Sequence, residues 1–397
     1  MSRWYRRAAR TVACAGVGAV LLASGAPAQA AGRGWELDAM SVSSAHAISR
    51  GEGVTVAVVD SGIRTGHPLL NGRATEGRDF LGETDQKESW YGRHGTIMAS
   101  NVLDVAPGAK VLGLRAIRDL EDPDYKSWEQ TLGKPADDKQ AGAVANAIRQ
   151  AADAGARVIS LSLGSDAPFS AYDPDEMDAV QYALAKGAVV VASAGNEGDE
   201  DNPVSYPVGY PGVIGVAAST PSGGRAPFSS VHSYVDVAAP GVQIWGAKFN
   251  GTGRVSGQGT SQAGALTAGV AALIVAKYPK LAPRQVADIL RDTASHPDRH
   301  DPSTGYGVIN AAKALRAAAK VTPQPLAAVG ADRAGTHFGP GDDGTPRRIG
   351  QPLDVVYLII AGAFTLVALA MMVGGILLVR SGRRARRRML SPPAAAT

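Results

Sequence analysis

Apolar and polar positions alternate in blocks along the middle of the chain. Short apolar runs rich in valine are separated by longer stretches whose apolar residues recur every three or four positions. Continuous apolar runs of this length are typical of strands that are buried on both faces. They predict strands at residues 54–59, 111–114, 157–162, 188–192 and 213–217.

The stretches between these runs predict helices. Helical spacing covers residues 140–154 and 175–186, and a run of small apolar residues at 263–276 suits a buried helix. Strands that alternate with helices predict an α/β domain with a parallel sheet and helices on both sides. In such a domain, functional sites gather at the carboxyl ends of the strands.

The first 30 residues have the pattern of a secretory signal peptide. Four arginines precede a short apolar run at 12–23, and Ala28-Gln29-Ala30 is a small-residue cleavage site. The alternative is an uncleaved membrane anchor, for which the apolar run is short. We therefore expect residues 1–30 to be removed on export and the folded domain to span 31–320, with residues 31–50 either bracing it or crossing its cleft.

The other end of the chain predicts a membrane anchor. Residues 321–352 are rich in Pro, Gly and Asp and lack periodicity, which is typical of a linker. A transmembrane helix is predicted at 353–379, because no charge occurs from 355 to 379 and this length can span a bilayer. Six arginines in the tail 380–397 place that tail in the cytoplasm and the domain outside. A buried core helix is the alternative.

Net charge supports this topology and excludes one class of partner. The chain has a net charge of +4, and removing the ten arginines of the two ends leaves −6 for residues 31–379. A mildly acidic domain gives no electrostatic basis for binding nucleic acid. The single cysteine, Cys14, lies in the signal peptide, so no disulfide is expected in the mature chain.

Four polar residues stand at the ends of predicted elements. Asp60 ends the first strand in Val-Val-Asp-Ser-Gly, and His94 opens a helix in Gly-Arg-His-Gly-Thr. Asn196 lies in a glycine-bracketed loop after a strand, and Ser261 follows Gly-Gln-Gly-Thr at a helix start. Each has an ordinary alternative, such as a turn cap for Asp60 or a helix cap for Ser261.

Taken together, the four residues predict an acyl-transfer site. A helix N-terminus carries partial positive charge and unpaired N–H groups, which stabilise an anion that forms beside Ser261. Thr260 is expected to cap this helix, which frees Ser261 to point into a cleft. The Asn196 amide is a candidate oxyanion donor. Asp, His and Ser in this chain order form one of the three known triad orders.

The contexts VAVVDSG, RHGT, SAGNEG and GTSQA resemble those of the subtilisin-like serine peptidases, or subtilases, over roughly residues 35–319. The resemblance implies a subtilisin-like parallel sheet flanked by helices. It further implies that Ser261 is the nucleophile, His94 the general base and Asp60 the residue that orients it. In the same way, Asn196 and the Ser261 N–H would hold the oxyanion. Substrate would pair as an added strand with Ser162, Leu163 and Gly164.

Other segments either match the family or depart from it. Residues 236–241 and 305–310 match and are expected to be structural. Gln262 replaces a bulky residue and Ala265 a proline, so the entry angle of the helix is expected to differ. Leu69 stands where calcium-binding relatives have aspartate, and leucine cannot ligate calcium. No metal or cofactor is predicted, and the stretch before Asp60 leaves no room for a large inhibitory propeptide.

An acidic insertion follows the second predicted strand. Residues 118–139 contain seven acids together with Pro, Gly, Tyr125 and Trp128, where the fold needs only a short connection. A long loop in a compact domain often covers or flanks a cleft. The alternative is a solvated insertion without a role.

The order of segments resembles the mycosins, membrane-anchored proteases associated with type VII secretion. The resemblance implies a single-pass cell-membrane protein whose extracytoplasmic domain cleaves exported polypeptides, with a type VII secretion complex as partner. Two other functions stay open. One is a protease-like structural subunit that stabilises a secretion complex, and the other is an esterase with the same triad. The complete set of Asp60, His94, Asn196 and Ser261 favours the peptidase.

Overall fold

The computed structural model describes residues 34–82, 86–126, 142–164, 172–326, 363–366, 369 and 371–375, all within the unit Arg33–Thr397. The predicted signal peptide and basic tail, and most of the predicted linker and transmembrane helix, lie outside these residues. Within the described part of the chain, no helix combines the length and apolar character needed to cross a membrane.

Seven parallel strands form the central sheet. Its order is β2-β3-β1-β4-β5-β6-β7, and every neighbouring pair is parallel. The strands are β1 Thr55–Asp60, β2 Ala74–Asp79, β3 Lys110–Arg115, β4 Val158–Leu161, β5 Val189–Ser193, β6 Ile214–Ser219 and β7 Val235–Pro240. The five predicted strands are confirmed, with bounds shifted by one or two residues.

Both edge strands were missing from the prediction. The β2 sequence ATEGRD has no apolar run, because an edge strand is covered on fewer sides and tolerates polar residues. The β7 sequence VDVAAP is fully buried, but residues 236–241 were interpreted only as a structural family motif, which did not indicate a strand.

Helices cover both faces of the sheet. The helices of the domain are α1 Trp35–Ala39, α2 Val42–His46, α3 Arg93–Val105, α4 Ala143–Asp153, α5 Pro174–Ala185, α6 Thr260–Lys277, α7 Pro283–Asp292 and α8 Ala311–Ala318, and residues 363–366, 369 and 371–375 are also helical. A 3-10 turn spans Pro68–Leu70, and an antiparallel hairpin joins β8 Ile244–Ala247 to β9 Arg254–Gly257. The predicted helices at 175–186 and 263–276 are confirmed, and α4 confirms the described part of 140–154.

The side chains of strand β1 pack alternately into two hydrophobic cores, one on each face of the sheet. Val56 and Val58 pack with the cluster that includes α3, α6, α7 and α8. Ala57 and Val59 pack with the cluster that includes α4 and α5. Because successive strand residues point to opposite faces, an unbroken apolar run is what a strand covered on both sides requires.

The first described residues brace the domain. The indole N–H of Trp35 donates to the Val242 carbonyl at 3.2 Å, and the Ala311 N–H donates to the Met40 carbonyl at 2.8 Å. The His46 ring contacts the Val105 carbonyl at 2.7 Å, at the end of α3 that is opposite His94. Residues 34–50 therefore lie against the body of the domain and brace it.

Candidate active site

Asp60 and His94 meet where β1 ends and α3 begins. Nδ1 of His94 lies 2.9 Å from Oδ1 and 2.9 Å from Oδ2 of Asp60. The carboxylate is fully buried and also accepts a hydrogen bond from the Ser61 N–H at 2.7 Å. A buried carboxylate needs such partners, because desolvation without them is costly.

Charge around the imidazole favours its protonated form. Burial acts to lower the pKa of His94, but the charge and hydrogen bond of Asp60, together with the charge of Asp119, outweigh it and raise the pKa to about 9. The His94 side chain is 31% exposed, so its outer edge remains open to a substrate.

Ser261 lies at the start of α6. Gly259 precedes the helix with φ 153° and ψ 163°, a backbone conformation that is essentially restricted to glycine. A Cβ at Gly259 would also lie 2.8 Å from Oε1 of Gln262. The Ser261 side chain is partly exposed, and its Oγ lies 3.5 Å from the Ser162 carbonyl oxygen.

The prediction that Thr260 caps α6 is wrong. Gly259 occupies the cap position, and Thr260 is already the first helical residue. The Thr260 hydroxyl instead accepts from the Gly195 N–H at 3.2 Å and contacts Oδ1 of Asn196 at 3.0 Å. Its hydroxyl therefore joins the Asn196 loop to the helix.

Asn196 is oriented by the N-terminus of α6. Its Oδ1 accepts from the Thr260 N–H at 2.9 Å, a group that can only donate, so this contact identifies the oxygen of the amide. The loop asparagine is exposed. Fixing the amide oxygen on the helix orients the amide nitrogen, which is the donor that an oxyanion requires.

The segment Ser162–Gly164 follows β4 and lies beside Ser261. The Ser162 hydroxyl donates to the Ser261 carbonyl at 3.0 Å, and the Leu163 carbonyl accepts from the Ser193 hydroxyl at 3.4 Å. Gly264 of α6 faces this segment, with 3.8 Å from its Cβ position to the Ser162 Oγ. The segment becomes exposed at Gly164.

The structure thus links the predicted site residues in two groups. Asp60 bonds His94 directly, while Asn196, Ser162 and Ser261 are connected around the start of α6. Within the described residues, no hydrogen bond joins the His94 ring to the Ser261 hydroxyl.

Comparisons with known proteins decide the family. The model of the subtilase family (Peptidase_S8) matches residues 51–308. The chain belongs to the subtilase family. Thermitase of Thermoactinomyces vulgaris is 36% identical over 236 residues, which cover 58% of this chain and 77% of thermitase.

Solved structures of mycosins are also similar. The MycP3 protease from the type VII (ESX-3) secretion system matches with a TM-score of 0.60 and 29% identity, covering 73% of this chain and 90% of that chain. MycP1 from the ESX-1 type VII secretion system matches with a TM-score of 0.63 and 28% identity, covering 75% of this chain and 88% of that chain. This subtilase is therefore a subtilisin-like serine endopeptidase with mycosins among its structural relatives.

The structure also identifies residues that sequence reasoning missed. Asp119, in the acidic insertion, is buried and accepts from the N–H groups of Arg93 and His94. Glu76 on β2 accepts from the Ile63 N–H at 2.9 Å and from the Tyr91 hydroxyl at 2.5 Å. The acidic composition of the insertion was a clue to Asp119, but nothing in the sequence distinguished it from its neighbours.

Glu76 supports the loop that follows Asp60. Burial raises its pKa to about 7, although its hydrogen bonds with Tyr91 and Ile63 act in the opposite direction. The ring of Tyr91 packs under Gly62, where a Cβ would lie 2.5 Å from Cζ of Tyr91. Since Gly62 has φ 94°, both its conformation and its contact with Tyr91 require glycine.

Two residues that depart from the family pattern, Gln262 and Leu69, lie among the described residues. Gln262 is buried and folds back on the strand before the helix, with its Nε2 2.9 Å from the Cβ position of Gly257. Leu69 lies in the 3-10 turn Pro68–Leu70. Within the described ranges, no three His, Cys, Asp or Glu side chains are grouped so that they could hold a metal ion.

Proposed function

We propose that this subtilase cleaves exported polypeptides with Ser261 as nucleophile, His94 as general base and Asp60 as the residue that orients the base. The observation that carries the proposal is the pair of 2.9 Å contacts between Nδ1 of His94 and the buried Asp60 carboxylate. A hydrogen bond at Nδ1 fixes the neutral tautomer with a free Nε2, which is the atom that must take the serine proton.

Each step of the reaction has a residue to perform it. Ser261 Oγ attacks the peptide carbonyl while Nε2 of His94 takes its proton, and the same proton passes to the leaving amine when the bond breaks. The Asn196 amide and the Ser261 N–H donate to the oxyanion of the tetrahedral intermediate. Water then attacks the acyl-enzyme, with His94 again as base. A His94–Ser261 hydrogen bond that is absent without substrate is expected to form on binding, as is common in serine hydrolases.

Substrate is proposed to lie along Ser162, Leu163 and Gly164. This segment leaves the sheet at the end of β4 and passes Ser261, so an extended peptide that adds to it brings one carbonyl to the nucleophile. Pairing with an extended backbone favours peptides over small esters. It therefore argues against the esterase alternative.

The proposed cellular role is that of a membrane-anchored, extracytoplasmic protease linked to type VII secretion. The similarity to MycP1 and MycP3, which come from such systems, supports the link. The uncharged stretch 355–379 and the arginines that follow support the anchor and its orientation. Carbonate extraction of membranes tests the anchor, and protease treatment of intact cells tests whether the domain lies outside the cell. A chain that is released by carbonate would contradict it.

A structural role in a secretion complex is the second proposal. It is favoured by a related mycosin, MycP1, which is described as an essential component of the type VII (ESX-1) secretion system. The two roles separate in a strain that carries Ser261→Ala. Export that continues with uncleaved substrate assigns secretion to the structural role and cleavage to the triad. Loss of export with an intact complex makes catalysis itself the requirement.

A further inference from the structure

The N-terminus of α3, which carries His94, has no cap of its own. Gly92 occupies the cap position and provides no side chain, and its φ of 67° favours glycine. A Cβ there would lie 2.9 Å from the Gly62 carbonyl oxygen. The first N–H groups of any helix lack partners within the helix, so they must be satisfied from elsewhere.

Asp119 provides the missing cap from a distant part of the chain. Its Oδ2 accepts from the Arg93 N–H at 2.7 Å, and both oxygens lie 3.3 Å from the His94 N–H. The next N–H, of Gly95, donates to the Ser61 hydroxyl at 3.2 Å, and Ser61 also hydrogen-bonds the Asp119 carboxylate. Asp119 and Ser61 thus accept hydrogen bonds from the first N–H groups of the helix. Both contact the Asp60–His94 pair or its neighbours.

Buried ion pairs hold Asp119 in this place. Asp122 bonds Arg115 at 2.7 Å and Arg118 at 2.8 Å, and all three side chains are at most 7% exposed. Arg115 also bonds Asp79 at 2.7 Å. The described part of the acidic insertion is therefore anchored to the sheet at its stem, and Asp119 itself is only 9% exposed.

We propose that Asp119 is a positioning residue for the general base, and that this is a role of the acidic insertion. Its carboxylate fixes the helix turn that carries His94 and places a second negative charge beside the imidazole. The charged groups that face His94 are then Asp60 from β1, Asp119 from the insertion and Arg93 from its own helix. Asp119 stabilises the imidazolium that forms during each proton transfer. The inference rests on the proposed role of His94.

The test compares full-length Asp119→Asn with Asp124→Asn, which removes the same charge from a side chain that is 69% exposed in the same loop. Asparagine keeps an acceptor for the helix N–H groups, so the fold is expected to persist. Asp119→Ser, a neutral residue that caps helices well, is the second variant if asparagine fails to fold. Asp119→Glu should restore the charge.

The readout is the pH profile of kcat/KM between pH 6 and 10. Loss of the Asp119 charge should move the acidic limb of the profile, where activity rises with pH, down by about one pH unit. The ratio of kcat/KM at pH 7 to that at pH 9 then rises roughly fivefold, because more of the base is neutral at pH 7. Asp124→Asn should leave this ratio unchanged. If Asp119 had a purely structural role, Asp119→Asn would lower kcat without shifting the pH at which kcat/KM rises.

Titration of the His94 ring by NMR in a Ser261→Ala background gives the pKa without requiring catalysis. A lower pKa in Asp119→Asn supports the inference even if the protein cuts no peptide, so failure of the proposed function is recognised separately. An imidazole that titrates as in the Asp124→Asn control overturns the inference.

Discussion

Nδ1 of His94 lies 2.9 Å from both carboxylate oxygens of Asp60. This contact assigns the neutral imidazole a proton on Nδ1 and leaves Nε2 without one. It also explains why the pair can hold a proton strongly, since a buried carboxylate stabilises the imidazolium more than the solvent would. The geometry of one pair therefore determines both the tautomer of the base and its proton affinity.

Replacing Asp60 with asparagine should abolish most activity while leaving the fold intact. The amide has the shape of the carboxylate but cannot stabilise the imidazolium, and its N–H2 group favours the wrong tautomer. By analogy with the same change in other Ser-His-Asp enzymes, kcat should fall roughly 10⁴-fold. Peptide hydrolysis measures this fall, and circular dichroism checks the fold. Activity within tenfold of the wild type would remove Asp60 from the mechanism.

Activity should depend steeply on pH on the alkaline side of neutrality. A pKa of about 9 for His94 means that the base is mostly protonated at pH 7 and becomes neutral as the pH rises. We expect kcat/KM to increase from pH 7 and to level off above pH 9. The same raised pKa stabilises the folded state below pH 6.5, and this contribution is lost as the pH rises through 9. A profile that is flat from pH 7 to 9 would contradict the assignment.

Removing the Asn196 amide should slow catalysis without weakening substrate binding. Asn196→Asp keeps the oxygen that binds the Thr260 N–H but loses the N–H2 donor. We expect kcat to fall at least 10²- to 10³-fold with KM nearly unchanged, because one oxyanion donor is lost and the new carboxylate repels the oxyanion. Thr260→Val is the matched control, because it removes the hydroxyl contact with Oδ1 and leaves the donor in place. Equal losses in the two variants would indicate a structural effect on α6.

Glu76 should make the free energy of unfolding of the domain depend on pH. Its pKa of about 7 is raised above the ordinary value of 4.5, so the folded state binds the extra proton between these pH values. Glu76 therefore makes the folded state less stable as the pH rises from 4.5 through 7. In Glu76→Gln this dependence should disappear. Urea unfolding at several pH values measures it, and parallel curves for variant and wild type would exclude Glu76 as the source.

Loss of Asp122 should destabilise the domain strongly. Its carboxylate neutralises Arg115 and Arg118, whose side chains are 1% and 7% exposed. Leaving such charges buried without this partner costs about 3 to 5 kcal/mol. Asp122→Ala should lower the unfolding free energy by that amount, while Asp124→Ala, at an exposed position of the same loop, should change it by less than about 1 kcal/mol. Similar losses in both variants would contradict the ion-pair account.

The sequence predicted the centre of the fold better than its edges. The strands around β1 were predictable, because burial on both faces demands continuous apolar runs. Strand β2 was not, since its polar side chains are acceptable only at an edge of the sheet. Helix α6 was expected from its small apolar residues, but its first residue depended on the backbone conformation of Gly259.

In the candidate site, too, residues in local motifs were predictable and a residue placed by tertiary contacts was not. Asp60, His94, Asn196 and Ser261 were predicted as site residues because each lies in a short local motif at the end of an element. Asp119 was not, because its proposed role depends on the tertiary contact between the insertion and the start of α3. A cap supplied from 26 residues away leaves no local pattern. The glycine at position 92 showed only that the helix lacked a cap of its own.

Covalent labelling by a fluorophosphonate probe shows whether Ser261 is an activated nucleophile. The full chain in detergent is compared with Ser261→Ala and with Ser256→Ala, a serine on the nearby strand β9. We expect label on the wild type and on Ser256→Ala, none on Ser261→Ala, and faster labelling at pH 9 than at pH 7. Absence of label on folded wild-type protein, or equal label on Ser261→Ala, would contradict the claim that Ser261 is an activated nucleophile.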